Sequence, residues 1–131
     1  MAKIDCSSFK LGIEIKSIDL SHESYNTTCV LDLYSEGFSG ITEMVTSYTD
    51  LLYFANNLKD MYEFLKGVTK LIDYDYGTSI NVSCDESGYF VFEGVILNGT
   101  SNELRFKNRI DQSYMKNFIN NFFDELEKAK Q

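Results

Sequence analysis

The sequence predicts an α+β domain in which a mostly antiparallel β-sheet of about six to seven strands carries two amphipathic helices packed on one face. Three observations predict it. Period-two alternation of apolar and polar residues fills the first part of the chain and returns as a meander between Ser79 and Lys107. Apolar residues at spacings of three and four occur in two stretches, one from Leu51 to Leu65 and one from Tyr114 to Leu126. Each helical stretch follows a block of strands, which is the order of α+β chains and not of parallel βαβ chains. At 131 residues, with no internal repeat and no linker, the chain reads as a single domain over 1–131.

Phe9, Leu11, Ile13 and Ile15 alternate with Lys10, Gly12, Glu14 and Lys16, giving a strand with one buried face. A polar connection, Ser21-His22-Glu23-Ser24 with Asn26, leads to a second alternation over Thr27–Tyr34, with Cys29, Leu31 and Leu33 on one side. These two strands are expected to pair. Glu36-Gly37 turns the chain into a third, less regular strand between Phe38 and Ser47. Ser47 or Thr49 then caps a helix with Asp50 in its first turn, and Gly67 is placed to end it. Val68 to Tyr74 reads as a connecting strand. Ile80, Val82 and Cys84 alternate with polar residues before the turn Asp85-Glu86-Ser87-Gly88 and the apolar stretch Tyr89 to Leu97. Tyr89-Phe90-Val91-Phe92 is apolar at every position, so this strand is expected mid-sheet with both faces at least partly covered. A second reversal, Asn98 to Asn102, precedes a strand through Leu104 and Phe106. Asp111 is a good N-cap for the last helix, whose apolar face carries Tyr114, Phe118, Phe122 and Leu126, with an Asp124–Lys128 pair on its exposed side.

The net charge of −8 is unevenly spread. Between Lys16 and Lys59 there are six acids and no Lys or Arg, and between Lys70 and Arg105 there are again six acids and no base. Such a chain repels phosphate backbones, so direct nucleic-acid binding is not expected. The same field attracts a basic partner, although solubility alone also accounts for it. Cys6, Cys29 and Cys84 are odd in number and widely spaced without a CxxC, which predicts free thiols and no zinc site. No basic segment followed by an apolar run opens the chain, and no apolar run reaches membrane-spanning length. A cytoplasmic protein with no membrane partner is therefore expected, and homo-oligomerisation stays open.

Few residues suggest chemistry. His22 is the only histidine and stands in a polar connection without metal-ligand spacing. Asp73 and Asp75 flank Tyr74 and on a strand would share a face about 7 Å apart, within reach of paired-carboxylate chemistry, or would simply be a solvated strand end. Cys29 and Cys84 share parity with core residues. No GxGxxG or Walker pattern appears, so no nucleotide, cofactor or metal is expected. The acids at the meander's turns, Asp73, Asp75, Asp85 and Glu86, together with Tyr76, make the candidate partner-binding set, because turns reach a partner without disturbing a sheet.

Phe38-Ser39-Gly40, Tyr48 with Leu51 and Phe54, Gly67, Gly88 and Gly94, and Leu104-Arg105-Phe106 before Asp111-Gln112-Ser113-Tyr114 form an ordered set over most of the chain. In this set the chain resembles the WapI-type immunity proteins, which protect bacteria against the C-terminal toxin domain of contact-dependent toxins. The resemblance implies a cytoplasmic protein that inactivates a nuclease-like toxin domain by binding it, with no catalytic residue to carry over. The rival expectation is a small-molecule binder or hydrolase that uses carboxylates among Asp73, Asp75, Glu93 and Glu103.

Overall fold

The structure, a computed structural model, describes residues 1–22, 26–99 and 101–130; Glu23 and Ser24 of the polar connection and Thr100 of the second reversal lie outside them. Among the described residues the chain runs through β1 (Ala2–Asp5), β2 (Phe9–Ile18), β3 (Thr27–Ser35), β4 (Phe38–Thr46), α1 (Tyr48–Phe64), β5 (Val68–Ile72), β6 (Ser79–Cys84), β7 (Phe90–Asn98), β8 (Asn102–Ile110), a 3-10 turn (Gln112–Tyr114) and α2 (Met115–Ala129). The class is α+β, as predicted. The single sheet is not formed: two four-stranded antiparallel sheets stand instead, ordered β1-β2-β3-β4 and β5-β6-β7-β8. The break falls at β4, whose free edge meets a turn and a side chain rather than a strand. Val45 donates its N–H to Asp73 Oδ1 at 2.8 Å and accepts from the Tyr74 N–H at 2.9 Å, and the Asn98 amide donates to the Ile41 carbonyl at 3.0 Å.

The two sheets face each other across one core. Phe9 of β2 stacks between them, its ring centroid 5.4 Å from that of Phe92 and 6.1 Å from that of Phe106. Two polar groups caught in the contact are paired, Ser35 Oγ donating to Asn108 Oδ1 at 2.6 Å and Thr42 Oγ1 to the Leu97 carbonyl at 2.7 Å, whereas the buried Thr46 hydroxyl on the same face of β4 has no partner among the described residues. The helices do not share one face of one sheet. Helix α2 lies against β1 and β2, α1 lies against β5, and the two pack on each other through Phe54 and Phe122, 6.0 Å apart.

Local signals explain most boundaries. Ser47 caps α1, its hydroxyl accepting the Asp50 N–H at 3.0 Å. The helix stops at Leu65, which takes the left-handed conformation (φ 53°) two residues before the expected Gly67. Asp111 caps the 3-10 turn, accepting the Ser113 N–H at 2.8 Å, and that extra turn moves Tyr114 off the apolar stripe into solvent. Phe118, Phe122 and Leu126 are buried as predicted, whereas no Asp124–Lys128 ion pair forms. Strand β1 was not foreseen. Four residues give too little pattern, and it exists because the ten-residue β2 offers a partner edge, Ala2 opposite Ile13 and Asp5 opposite Lys10. Strand β7 does lie mid-sheet, between β6 and β8. Its outer face is covered only in part: Val91 and Val95 are half-buried and Glu93 is exposed. Gly94 in this strand is obligatory, because a Cβ there would lie 2.0 Å from the Ser79 carbonyl oxygen.

Candidate functional site

The outer face of the second sheet and the adjoining stripe of α1 form an uncovered surface in which apolar and ionisable side chains meet. Helical spacing puts Asp50, Tyr53 and Asn57 on one stripe of α1, and Asn57 Nδ2 bonds to Thr69 Oγ1 at 3.1 Å, fixing the helix beside β5. Strand parity turns Thr69 and Leu71 inward and Val68, Lys70 and Ile72 outward. Between the helix and the strand runs a groove of about 620 Å³ that extends over Asn81 and Ser83 of β6 to Glu93 of β7. Its rim is aromatic and apolar: Val68 is 76% exposed, Tyr53 69% and Tyr74 48%. The Tyr74 hydroxyl donates to Asp50, tying the turn after β5 to the first turn of α1.

This arrangement joins the two base-free windows. Asp50 and Tyr53 come from the first, Tyr74, Asn81 and Glu93 from the second, and Lys70, which bounds the second window, is the one cation of the lining.

The expected partner-binding set is only partly present as a surface. Asp73 is 2% exposed. Its Oδ1 accepts the N–H groups of Val45 (2.8 Å) and Asp75 (3.1 Å), and its Oδ2 accepts that of Tyr76 (2.9 Å), so it clamps the turn to β4 and presents nothing outward. The sequence shows two acids around a tyrosine; it does not show that the chain turns at the first of them. Asp75 and Tyr76 are exposed, as expected. Asp85 and Glu86 sit at the opposite end of β6, about 20 Å away for a strand of six residues, so the five residues do not form one patch. Asp85 is also committed. Arg109 Nε donates to its Oδ2 at 2.6 Å, and Oδ1 accepts the N–H groups of Ser87 (2.9 Å) and Tyr89 (3.1 Å), while the Arg109 guanidinium stacks 3.8 Å above the Tyr89 ring. The Arg109 hydrogen bond, with those two N–H groups, holds the Asp85 carboxyl below the usual carboxylate value. Glu86 is exposed.

The carboxylates of the rival reading are not assembled. Asp73 faces inward while Asp75 is exposed. Glu93 stands opposite Lys107, and Glu103 stands opposite Leu97, four residues or about 13 Å further along β7, where it bridges to Arg105 at 3.3 Å. His22 is exposed and pairs with Asp19 at 3.4 Å; the Ser21 hydroxyl and N–H lower the Asp19 carboxyl. Burial pushes the Cys29 thiol up to about 12 and also raises that of Cys84, so both are protonated at neutral pH. All three thiols are free. Among the described residues no three His, Cys, Asp or Glu side chains are placed to hold a metal ion, and no helix is long and apolar enough to cross a membrane.

Sequence reasoning missed Asp50, Tyr53, Val68 and Ile72 as surface. The signal was present: Tyr53 falls out of phase with Leu51, Phe54 and Leu58, and Val68 and Ile72 share parity with Lys70. No protein-family model matches the chain, and no curated protein matches it.

Proposed function

We propose that this chain is a binding protein of the WapI immunity type, which neutralises a nuclease-like toxin domain by covering it. The observation that carries the reading is the meeting of the two base-free windows at one aromatic-rimmed groove, where Tyr53 and Tyr74 stand with Asp50 and Glu93, and the exposed Asp75 and Tyr76 follow Tyr74 in the chain. Tyrosines combine a large apolar ring with a polar tip, and a nuclease domain presents the basic surface that such acids complement. The ordered Phe-Ser-Gly and Asp-Gln-Ser-Tyr set supports the same reading. Association is steered by charge, with rates up to the order of 10⁸ M⁻¹s⁻¹ at low salt that fall as salt is added. The partner is a protein; the net charge of −8 disfavours direct contact with nucleic acid.

The test is coexpression with the toxin domain that this reading expects a neighbouring reading frame to encode. Wild type is expected to restore growth and to copurify with the toxin domain. A wild-type protein that does neither overturns the reading.

A further inference from the structure

Each sheet has two edge strands, and their unpaired backbone groups follow from the hydrogen-bond parity. In β5 the ladder is fixed at both ends: Asp73 N–H donates to the Thr78 carbonyl at 2.8 Å and Cys84 N–H to the Gly67 carbonyl at 3.2 Å. With Val68 opposite Ser83 and Ile72 opposite Ser79, residues 67, 69, 71 and 73 bond to β6. The N–H and C=O groups of Val68, Lys70 and Ile72 therefore point away from the sheet, and none of them has a hydrogen-bond partner among the described residues.

The other three edges are guarded. On β4 both groups of Val45 and the carbonyl of Ile41 are taken by Asp73, Tyr74 and Asn98. On β1 the Cys6 N–H to Phe9 bond leaves Lys3 and Asp5 outward, two exposed charges on a strand that α2 packs against. On β8 the Asp85 N–H to Tyr89 bond sets the parity of β7, so the outward residues are Glu103, Arg105, Lys107 and Arg109, all charged and exposed. Charged outward side chains discourage strand pairing, whereas β5 offers aliphatic Val68 and Ile72 on either side of a single Lys70 and has an open groove beside it.

We infer that the free edge of β5 is a docking site for an extended segment of another protein, which adds to the second sheet as a fifth strand. Charge selects the occupant. Full antiparallel overlap with a second copy of β5 sets Lys70 against Lys70, which is unfavourable, whereas a strand reading apolar–acidic–apolar sets a carboxylate against it and aliphatic side chains against Val68 and Ile72. The intervening side chains of that strand meet Asp50, Tyr53 and Asn57 on α1, a wall that suits a basic residue by charge and by stacking on the tyrosine. The inference goes beyond the immunity reading, because the edge geometry stands whatever protein supplies the strand.

The probe is a blocked peptide, Thr-Val-Arg-Glu-Arg-Val-Thr, titrated into the whole protein with backbone amides followed by NMR and hydrogen exchange. The amides of Val68, Lys70 and Ile72 are expected to shift and gain protection. Lys70→Pro removes an outward N–H and no bond to β6, so the fold is expected to hold while binding falls about tenfold or more, the worth of a lost strand hydrogen bond and its neighbours. Lys70→Glu with a peptide carrying Lys in place of Glu inverts the preference, and this pair decides should Lys70→Pro not fold. Peptide binding that leaves the β5 amides unmoved, no binding at any concentration reached, or a preference that does not invert overturns the inference. Concentration-dependent dimerisation that protects the same amides makes a second copy the occupant and overturns it equally. None of these outcomes bears on toxin rescue, so the two readings fail separately.

Discussion

Replacing Asp73 by alanine removes the shared acceptor of three backbone N–H groups, those of Val45, Asp75 and Tyr76, at a side chain that is itself 2% exposed. Losing a buried carboxylate that accepts three backbone donors is costly, and Asp73→Ala is expected to lower stability by about 2–4 kcal/mol in urea unfolding. An effect below about 0.5 kcal/mol, the range of ordinary surface substitutions, would return Asp73 to the solvated role its neighbourhood in sequence suggests. Asp85 gives a pH-dependent counterpart. Its folded value lies below the ordinary carboxylate value of 3.8, first because of the Arg109 hydrogen bond, so its contribution to stability is complete above that value and is lost as pH falls through the folded one. Arg109→Gln is expected to raise the Asp85 midpoint in an NMR carboxyl titration and to flatten the acid end of the stability curve; an unchanged midpoint would contradict the pairing. Neither role was legible in the sequence. Aspartates at turns read alike whether they point out to solvent or back onto backbone N–H groups, and the difference is made by the strand that happens to lie behind the turn.

At the scale of elements, the last helix presents the clearest apolar face, and its burial follows from phase alone. Phe118 is fully buried and stacks edge-on with Phe122, 5.9 Å away, which in turn meets Phe54 of α1. Phe118→Ala is expected to cost about 3–5 kcal/mol, and a loss below about 1 kcal/mol in denaturant melts would mean that this face does not close the core. Helices and long strands were legible because their periodicity is a local property of side chains. Phe9 to Ile15 and Thr27 to Tyr34 pair as their alternation suggested, through Leu11 opposite Leu33 and Ile13 opposite Leu31. Which strands share a sheet was not legible. An alternating strand declares its buried face but not its neighbours, and whether β4 and β5 would continue one sheet depended on side chains of Asp73 and Asn98 reaching a free edge. The short β1 depended likewise on a partner distant in the chain.

At the scale of the whole molecule, the net charge of −8 acquires a direction. Two stretches without Lys or Arg are brought to one groove by the packing of α1 beside β5, while Arg105, Lys107 and Arg109 are gathered on the far edge of the same sheet. The uneven charge was legible in the sequence, but its convergence was not, since it follows from the sheet order and the seat of the helix. The central claim is the proposal that this convergent face covers a toxin domain, and hydrogen exchange of the protein with and without such a domain tests that claim most directly. The account predicts slowed exchange in residues 50–57 and 68–76 on complex formation. A complex that leaves both segments unchanged and protects the Asp85–Glu86 turn or the first sheet instead would contradict it.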